Sequence, residues 1–334
     1  MFTLSSFIFA LNSTLPVFLV ILVGRFFMRV GIINEEWTRI SDRMAFKYAL
    51  PIVLFLDIAK MDIHKDMDMT FIIFCMVSTT VMFFFIYILA RIFLKDKTMV
   101  GSFAQGAARG SAAILGIPFV TNIYGDAGMI PLMILAAVPL FNAYSVIILT
   151  ISSRRFLAGS KTRIQYKEIV KSIFKNPLIR GILIGFPFCI FGISIPPILD
   201  KSLTSIGSMA VPLMLISIGA DFKMSDLTAK FKPSVVASSI KLVFLPLVVL
   251  PIAIYMGFRE SALIAILVML GAPSAVSGYI MSKAMDNDYV LMSNIVVMTT
   301  LFSSVTFTFW IFILRYMGLI DRKASCRERV YVLV

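Results

Sequence analysis

Long apolar runs separated by short polar connectors dominate this chain. Hydrophobic residues make up 59% of its 334 positions and charged residues only 15%, whereas soluble domains carry about 25% charged residues. A run of about 20 apolar residues is long enough to cross a bilayer as a helix. The pattern predicts an all-α membrane protein with ten transmembrane helices, at residues 4–29, 42–59, 69–93, 98–120, 127–151, 177–195, 202–220, 233–256, 261–283 and 290–318.

Lys and Arg concentrate in alternate connectors, which predicts the orientation. With the N-terminus outside, the loops 25–47, 91–97, 154–175, 221–232 and 283–288 face the cytoplasm and hold nineteen Lys and Arg, against four in the outer loops. Such an excess is typical of cytoplasmic loops. We therefore expect a multi-pass plasma-membrane protein with an outer N-terminus. The net charge of +13 follows from these loops, so no nucleic-acid partner is predicted.

Scarce Gly and Pro residues recur at fixed offsets along the chain. An offset of 161 relates Pro16 to Pro177, Gly24 to Gly185, Gly31 to Gly192 and Pro51 to Pro212, and an offset of 155 relates Leu115, Gly116 and Pro118 to Leu270, Gly271 and Pro273. Each half then holds five spans. Because five is odd, the second half must enter the membrane from the opposite side, as in inverted-repeat transporters.

The repeat predicts the domain organisation. Residues 1–151 form the first five-helix repeat, 152–176 a basic cytoplasmic linker and 177–320 the second, inverted repeat. The polar tail 321–334 differs in composition from both halves. It is either a polybasic membrane tail or a segment that is not native to the domain.

Residues 106–125 contain Gly, Ser, Arg and Pro where an ordinary spanning helix would hold Leu and Val. Pro118 and its counterpart Pro273 each remove a backbone donor and leave a carbonyl free one turn earlier. Paired interruptions in matching positions of two halves point to a transporter's binding site. We therefore predict that helices 4 and 9 are broken, cross near the bilayer midplane and bind the substrate there.

Polar side chains near these interruptions are the candidate contacts. Arg109 either snorkels to the cytoplasmic surface or provides a counter-charge for a carboxylate; the same alternatives apply to Lys241, for which snorkelling is favoured. Asn142 either forms a hydrogen bond between helices or contacts a ligand. The predicted substrate-binding residues are Arg109, Ser111, Gly116, Pro118, Asn142, Pro273, Ser274 and Asn294.

The positions of Cys and His in the sequence do not indicate a metal or cofactor site. Cys75, Cys189 and Cys326 lie far apart, and His64 is the only histidine. They form none of the spacings typical of zinc or haem sites. No cofactor, metal or catalytic residue is predicted.

The ordered set of motifs resembles the auxin efflux carrier family, which includes plant auxin exporters and bacterial organic-acid permeases. The resemblance spans about residues 10–318 and rests on Leu15-Pro16, Ala49-Leu50-Pro51, Arg109-Gly110, Leu115-Gly116-Ile117-Pro118, Phe141-Asn142, Asn176-Pro177-Leu178, Val211-Pro212-Leu213 and Ala272-Pro273. It implies a fold like that of bile-acid/sodium symporters, with spans 1, 2, 6 and 7 as a scaffold and the others as a moving transport domain. Related carriers often have Asn where this chain has Ser111, which leaves the ligand open.

These observations predict a secondary carrier for a small organic anion, such as a mono- or dicarboxylate, that works by alternating access. The expected partners are that anion and the lipid bilayer, and a homodimer is left open. A channel-like permease is the nearest alternative, followed by a membrane sensor. An intramembrane enzyme is disfavoured, because Glu35-Glu36-Trp37-Thr38-Arg39 is one residue short of the EExxxR motif of prenyl-protein endopeptidases.

Overall fold

A computed structural model describes residues 16, 17, 19–60, 68–111, 120, 128–154, 171, 173–222, 228 and 230–320. The predicted contacts Gly116 and Pro118 lie outside the described residues. So do most of the linker and the whole of the tail 321–334.

The described part is built from helices, numbered here in chain order. They are α1 (19–30), α2 (Glu35–Met44), α3 (Leu50–Ala59), α4 (Met69–Phe93), α5 (Val100–Ala108), α6 (Ile130–Ile151), α7 (Pro177–Ile190), α8 (Pro197–Ser208), α9 (Ala210–Asp221), α10 (Phe231–Ser239), α11 (Leu245–Tyr255), α12 (Glu260–Gly271), α13 (Ser277–Ala284) and α14 (Tyr289–Tyr316). A π-helical turn over Ala45–Ala49 joins α2 to α3, and another over Ile240–Phe244 joins α10 to α11.

The all-α prediction is confirmed for the described residues. Five continuous helical segments there are long and apolar enough to cross a membrane: Met69–Phe93, Ile130–Ile151, Pro197–Asp221, Phe231–Tyr255 and Tyr289–Tyr316. The helices α7 and α12 are apolar but shorter. The described part of the chain is therefore helical throughout its regular structure and has several helices suited to crossing a membrane.

Three predicted spans need correction. The helix expected over 98–120 already ends at Ala108, because Arg109 adopts an extended conformation. The span expected over 261–283 is two helices, α12 and α13, separated by non-helical residues around Pro273. The second span begins earlier than residue 42, since α2 starts at Glu35 after its cap Asn34.

The two π-helical turns have the same cause in the sequence. Each is followed directly by Leu-Pro, with the prolines at Pro51 and Pro246. A proline inside a helix cannot donate to the carbonyl four residues earlier and crowds it, so the helix locally widens. In the second turn that carbonyl belongs to Leu242, and the buried indole Nε1 of Trp310 donates to it at 3.0 Å.

Buried hydrophobic residues form two clusters. One contains residues of α4, α5, α6, α10, α11, α12 and α14. The other contains residues of α1, the first π-helical turn, α3, α7, α9 and α13, together with a few residues of α6 and α14. Since α6 and α14 contribute residues to both clusters, these two helices connect them.

Glycines allow α1 and α9 to approach each other closely. A Cβ atom at Gly219 would overlap the carbonyl oxygen of Ile21, and one at Gly24 would overlap that of Ile216. The two backbones are therefore in direct contact, which only glycine permits at these positions.

Candidate functional site

Two helix interruptions meet inside the structure. Where α5 ends, the backbone amide of Ser111 donates to the carbonyl oxygen of Pro273 at 2.8 Å. The neighbouring residues Gly110 and Ser274 form an isolated antiparallel bridge. Irregular backbone is tolerated at membrane depth only where protein or a water-filled cavity surrounds it, and here each interruption provides partners for the other. We call this junction, residues 109–111 with 272–274, the crossing.

Ser274 joins the crossing to α5 and α14. Its hydroxyl donates to the carbonyl oxygen of Gly106 at 2.5 Å, one of the last carbonyls of α5, which lack a helical donor. Its backbone amide donates to Thr299 Oγ1 at 2.9 Å. The side chain predicted as a substrate contact thus already holds three segments together.

Lys241 is the cation that caps both interrupted helices. It is fully buried, and its Nζ donates to the carbonyl oxygens of Ala108 at 2.9 Å and Met269 at 3.3 Å. Ala108 is the last residue of α5, and Met269 lies four residues before Pro273. A cation at the C-terminal end of a helix is favoured by the helix dipole. The favoured interpretation of Lys241 as a snorkelling residue is therefore wrong.

Arg109 is also buried, with 7% of its surface exposed. Its Nη2 donates to Ser277 Oγ at 2.7 Å, and its Nη1 lies 2.8 Å from Met281 Sδ. Both partners belong to α13, so the guanidinium points inward instead of snorkelling to the surface. None of the described residues places a carboxylate in an ion pair with Arg109.

Gln105 is a polar residue of the site that the sequence analysis missed. Its Nε2 donates to the carbonyl oxygen of Gly278 at 2.9 Å and to Ser282 Oγ at 2.7 Å. Ser102 donates to the same Ser282 oxygen at 2.9 Å. The amide of Gln105 among the small and mostly apolar residues of α5 was the feature that could have revealed this contact.

The described contacts of the two candidate asparagines, Asn142 and Asn294, lie outside the crossing. Asn142 donates to the carbonyl oxygen of Val138, one turn earlier in its own helix, at 2.9 Å. Asn294 is buried and lines a small cavity of about 10 Å³ together with Ser293, Asp221 and Tyr279. The structure thus brings Arg109, Ser111, Pro273 and Ser274 together, whereas the described contacts of Asn142 and Asn294 involve other residues.

Comparison with known proteins assigns the family. The family described as membrane transport protein matches residues 9–311, nearly the whole chain. The chain belongs to this family. The match confirms the resemblance to the auxin efflux carriers.

Two archaeal relatives of this transporter cover almost its full length. An uncharacterized transporter of Methanothermobacter thermautotrophicus is 24% identical over 302 residues, which is 90% of this chain and 96% of the relative. An uncharacterized transporter of Methanocaldococcus jannaschii is 26% identical over 316 residues, 91% of this chain and 98% of the relative.

The transporter also contains a cluster of charged residues that the sequence did not reveal. Lys283 of α13 forms ion pairs with Asp42 of α2 at 2.6 Å and with Asp221 of α9 at 2.5 Å. The hydroxyl of Tyr279 donates to the same Asp221 carboxylate. The Lys283 ammonium also lies 5.3 Å from the centre of the Tyr289 ring. These residues come from distant parts of the sequence, and no motif links them.

Proposed function

We propose that this transporter is a secondary carrier for a small organic anion, such as a mono- or dicarboxylate, and that it binds the anion beside the crossing. The observation that carries the proposal is the buried guanidinium of Arg109, which has no carboxylate partner in the described part of the chain. A charged group buried in a membrane protein typically pairs with another group or marks a substrate pathway. An anionic substrate would supply the missing charge.

The surroundings of Arg109 favour an anion. Its partner Ser277 is the first residue of α13, and the N-terminal end of a helix carries a partial positive charge. Lys241 adds a second buried cation next to Gly110, with its Nζ 3.0 Å from the position of a Cβ atom there. A planar guanidinium can bind both oxygens of a carboxylate.

Ser111 is the hydroxyl at the crossing that remains for a substrate. Its backbone amide is used by Pro273, whereas its side chain makes no hydrogen bond to another described residue. The Ser274 hydroxyl, in contrast, already donates to the carbonyl oxygen of Gly106. In this proposal Arg109 binds the carboxylate, Ser111 donates a hydrogen bond, and Gly116 and Pro118 complete the site.

The contact pattern supports two inverted repeats of five helices. A Cβ atom at Gly24 would overlap the carbonyl oxygen of Ile216, and one at Gly185 would lie 2.9 Å from that of Phe55. Adding 161 to Gly24 and Phe55 gives Gly185 and Ile216, so one contact maps onto the other. An inverted duplication accounts for such paired contacts between halves.

The two hydrophobic clusters fit alternating access. In this proposal α1, α2, α3, α7, α8 and α9 form the scaffold, and the remaining helices carry the crossing as a moving unit. The second cluster would form the interface between them, where residues of α13, α6 and α14 pack against the scaffold. Movement of the second group would expose Arg109 to one side of the membrane at a time.

Counterflow in proteoliposomes tests the proposal. Liposomes loaded with one unlabelled organic acid are diluted into the same labelled acid, across a panel of mono- and dicarboxylates. We expect saturable counterflow for at least one acid. Arg109→Gln should raise the half-saturation concentration about ten- to hundredfold, because a hydrogen bond to a charged group contributes about 1.5–3 kcal/mol. Arg91→Gln, at an exposed arginine, serves as the matched control.

The other outcomes separate the alternatives. Flux that does not saturate and shows no counterflow would favour the channel-like permease. Equal kinetics for native protein and Arg109→Gln would contradict the role of Arg109. If folded protein transports none of the acids, the substrate class is wrong.

A further inference from the structure

A cavity of about 280 Å³ lies between α2 with its π-helical turn and α13, and no residue of the crossing lines it. The α2 side contributes positions three, four, seven and eight residues apart, which form one helix face. The α13 side contributes residues three and four positions apart, which also lie on one helix face. The lining residues are Arg39, Asp42, Arg43, Phe46, Lys47, Ile280, Lys283 and Ala284.

The charges of this cavity do not cancel. Lys283 is shared between Asp42 and Asp221, so it adds no free positive charge, and these three groups together leave one negative charge. Arg39 lies 3.5 Å from Glu36, with both side chains exposed. Arg43 and Lys47 form no ion pair with any described residue. Two uncommitted cations, one turn apart, therefore face the same cavity.

We propose that this cavity binds a phosphate group, as carried by the headgroup of an anionic phospholipid. The planar guanidinium of Arg43 suits two phosphate oxygens and the ammonium of Lys47 a third. Phe46 and Ile280 provide an apolar wall of the same cavity, suited to the glycerol and the first methylenes of a lipid. The volume is close to the lower end of small-molecule pockets, about 300–1,000 Å³, which fits a headgroup.

The location of the cavity agrees with a lipid ligand. Arg39, Arg43 and Lys47 lie in a stretch that the distribution of Lys and Arg assigns to the cytoplasmic side. Anionic lipids are enriched in the cytoplasmic leaflet, and basic pockets between membrane helices on that side bind their headgroups. A bound lipid would contact Arg43 and Lys47 through its phosphate and Ile280 of α13 through its apolar part, so it would strengthen the contact between the two sides of the cavity.

Thermal unfolding of the purified full chain in a zwitterionic detergent tests the site. The melting temperature is measured with increasing phosphatidylglycerol, with phosphatidylcholine, and with inorganic phosphate against chloride at equal ionic strength. We expect phosphatidylglycerol to stabilise the native protein. The double variant Arg43→Gln/Lys47→Gln should bind it roughly thirtyfold more weakly, because each Lys or Arg near an anionic surface contributes a factor of about five.

The double variant Arg25→Gln/Arg29→Gln is the matched control. It removes two cations with the same four-residue spacing on the same side of the membrane, outside the cavity. It should keep the native response. If the Arg43/Lys47 variant does not fold, the single variant Lys47→Gln replaces it, with a loss of about fivefold expected.

Each result decides the proposal. A response to phosphatidylglycerol that depends on Arg43 and Lys47 supports a lipid headgroup, and the same dependence for inorganic phosphate supports a free phosphate in the same site. No response to either ligand overturns the site. An equal loss in the Arg25/Arg29 control would overturn it too, because that loss would reflect general surface charge.

Discussion

The Nζ atom of Lys241 lies 3.3 Å from the carbonyl oxygen of Met269, the carbonyl that Pro273 leaves without its helical donor. The same ammonium donates to Ala108, where α5 ends. A backbone carbonyl without a partner is costly inside a membrane. Lys241 therefore provides a hydrogen-bond donor to a free carbonyl at each interruption. Its charge lies where the dipoles of two helices favour a cation.

Lys241→Met should destabilise the protein. The substitution keeps most of the side-chain volume but leaves two buried carbonyls without a donor, and each such group costs about 1–3 kcal/mol. We expect the free energy of unfolding, measured by denaturant titration in detergent micelles, to fall by about 2–5 kcal/mol. Lys232→Met, at an exposed lysine of the same span, should change it little. Equal stability of the two variants would contradict the capping role.

Lys283 and Asp42 should show a larger coupling energy than the residues of an exposed ion pair of similar length. The Asp42 side chain is 10% exposed in the first pair, whereas Lys60 and Asp200, 2.5 Å apart, are 47% and 34% exposed. Double-mutant cycles on unfolding free energy should give about 1–3 kcal/mol for Lys283→Gln with Asp42→Asn. For Lys60→Gln with Asp200→Asn we expect about 0–1 kcal/mol. Similar coupling energies would show that burial does not matter here.

Gly219→Ala should force α1 and α9 apart. The added methyl group would overlap the carbonyl oxygen of Ile21, and overpacking of this kind costs about 1–3 kcal/mol. Gly271→Ala is the control, because a Cβ there would meet Pro246 at 3.5 Å and Leu267 at 3.6 Å, which are ordinary contacts. Thermal unfolding in detergent should show a lower melting temperature for Gly219→Ala only. A native-like melting temperature would mean that the helices separate without cost.

Helical structure and the interruption at Pro273 could be predicted because they depend on local composition. A long apolar run such as Met69–Phe93 has one stable form in a membrane, and its bounds agree with the expectation of 69–93. Pro273 ends α12 because it lacks an amide proton. The segments of Ser111 and Ser274 were expected to meet because the repeat placed them in equivalent positions, and the Ser111 amide does donate to the carbonyl of Pro273, next to Ser274.

The partners of the charged residues could not be predicted in the same way. Lys241 has a mid-helix position that suits snorkelling as well as capping, and only the packing of α5 and α12 around it distinguishes the two. Asp42, Asp221 and Lys283 lie in three different spans, and nothing in the chain order brings them together. The early end of α5 at Ala108 likewise reflects pairing with residues far along the chain.

The hydrogen bond from the Ser111 amide to the Pro273 carbonyl is made by backbone atoms alone. The side chain at position 111 is therefore not needed for this contact. Substitutions there would leave this backbone hydrogen bond in place. A junction joined through the main chain can therefore keep its geometry when the residue at position 111 varies.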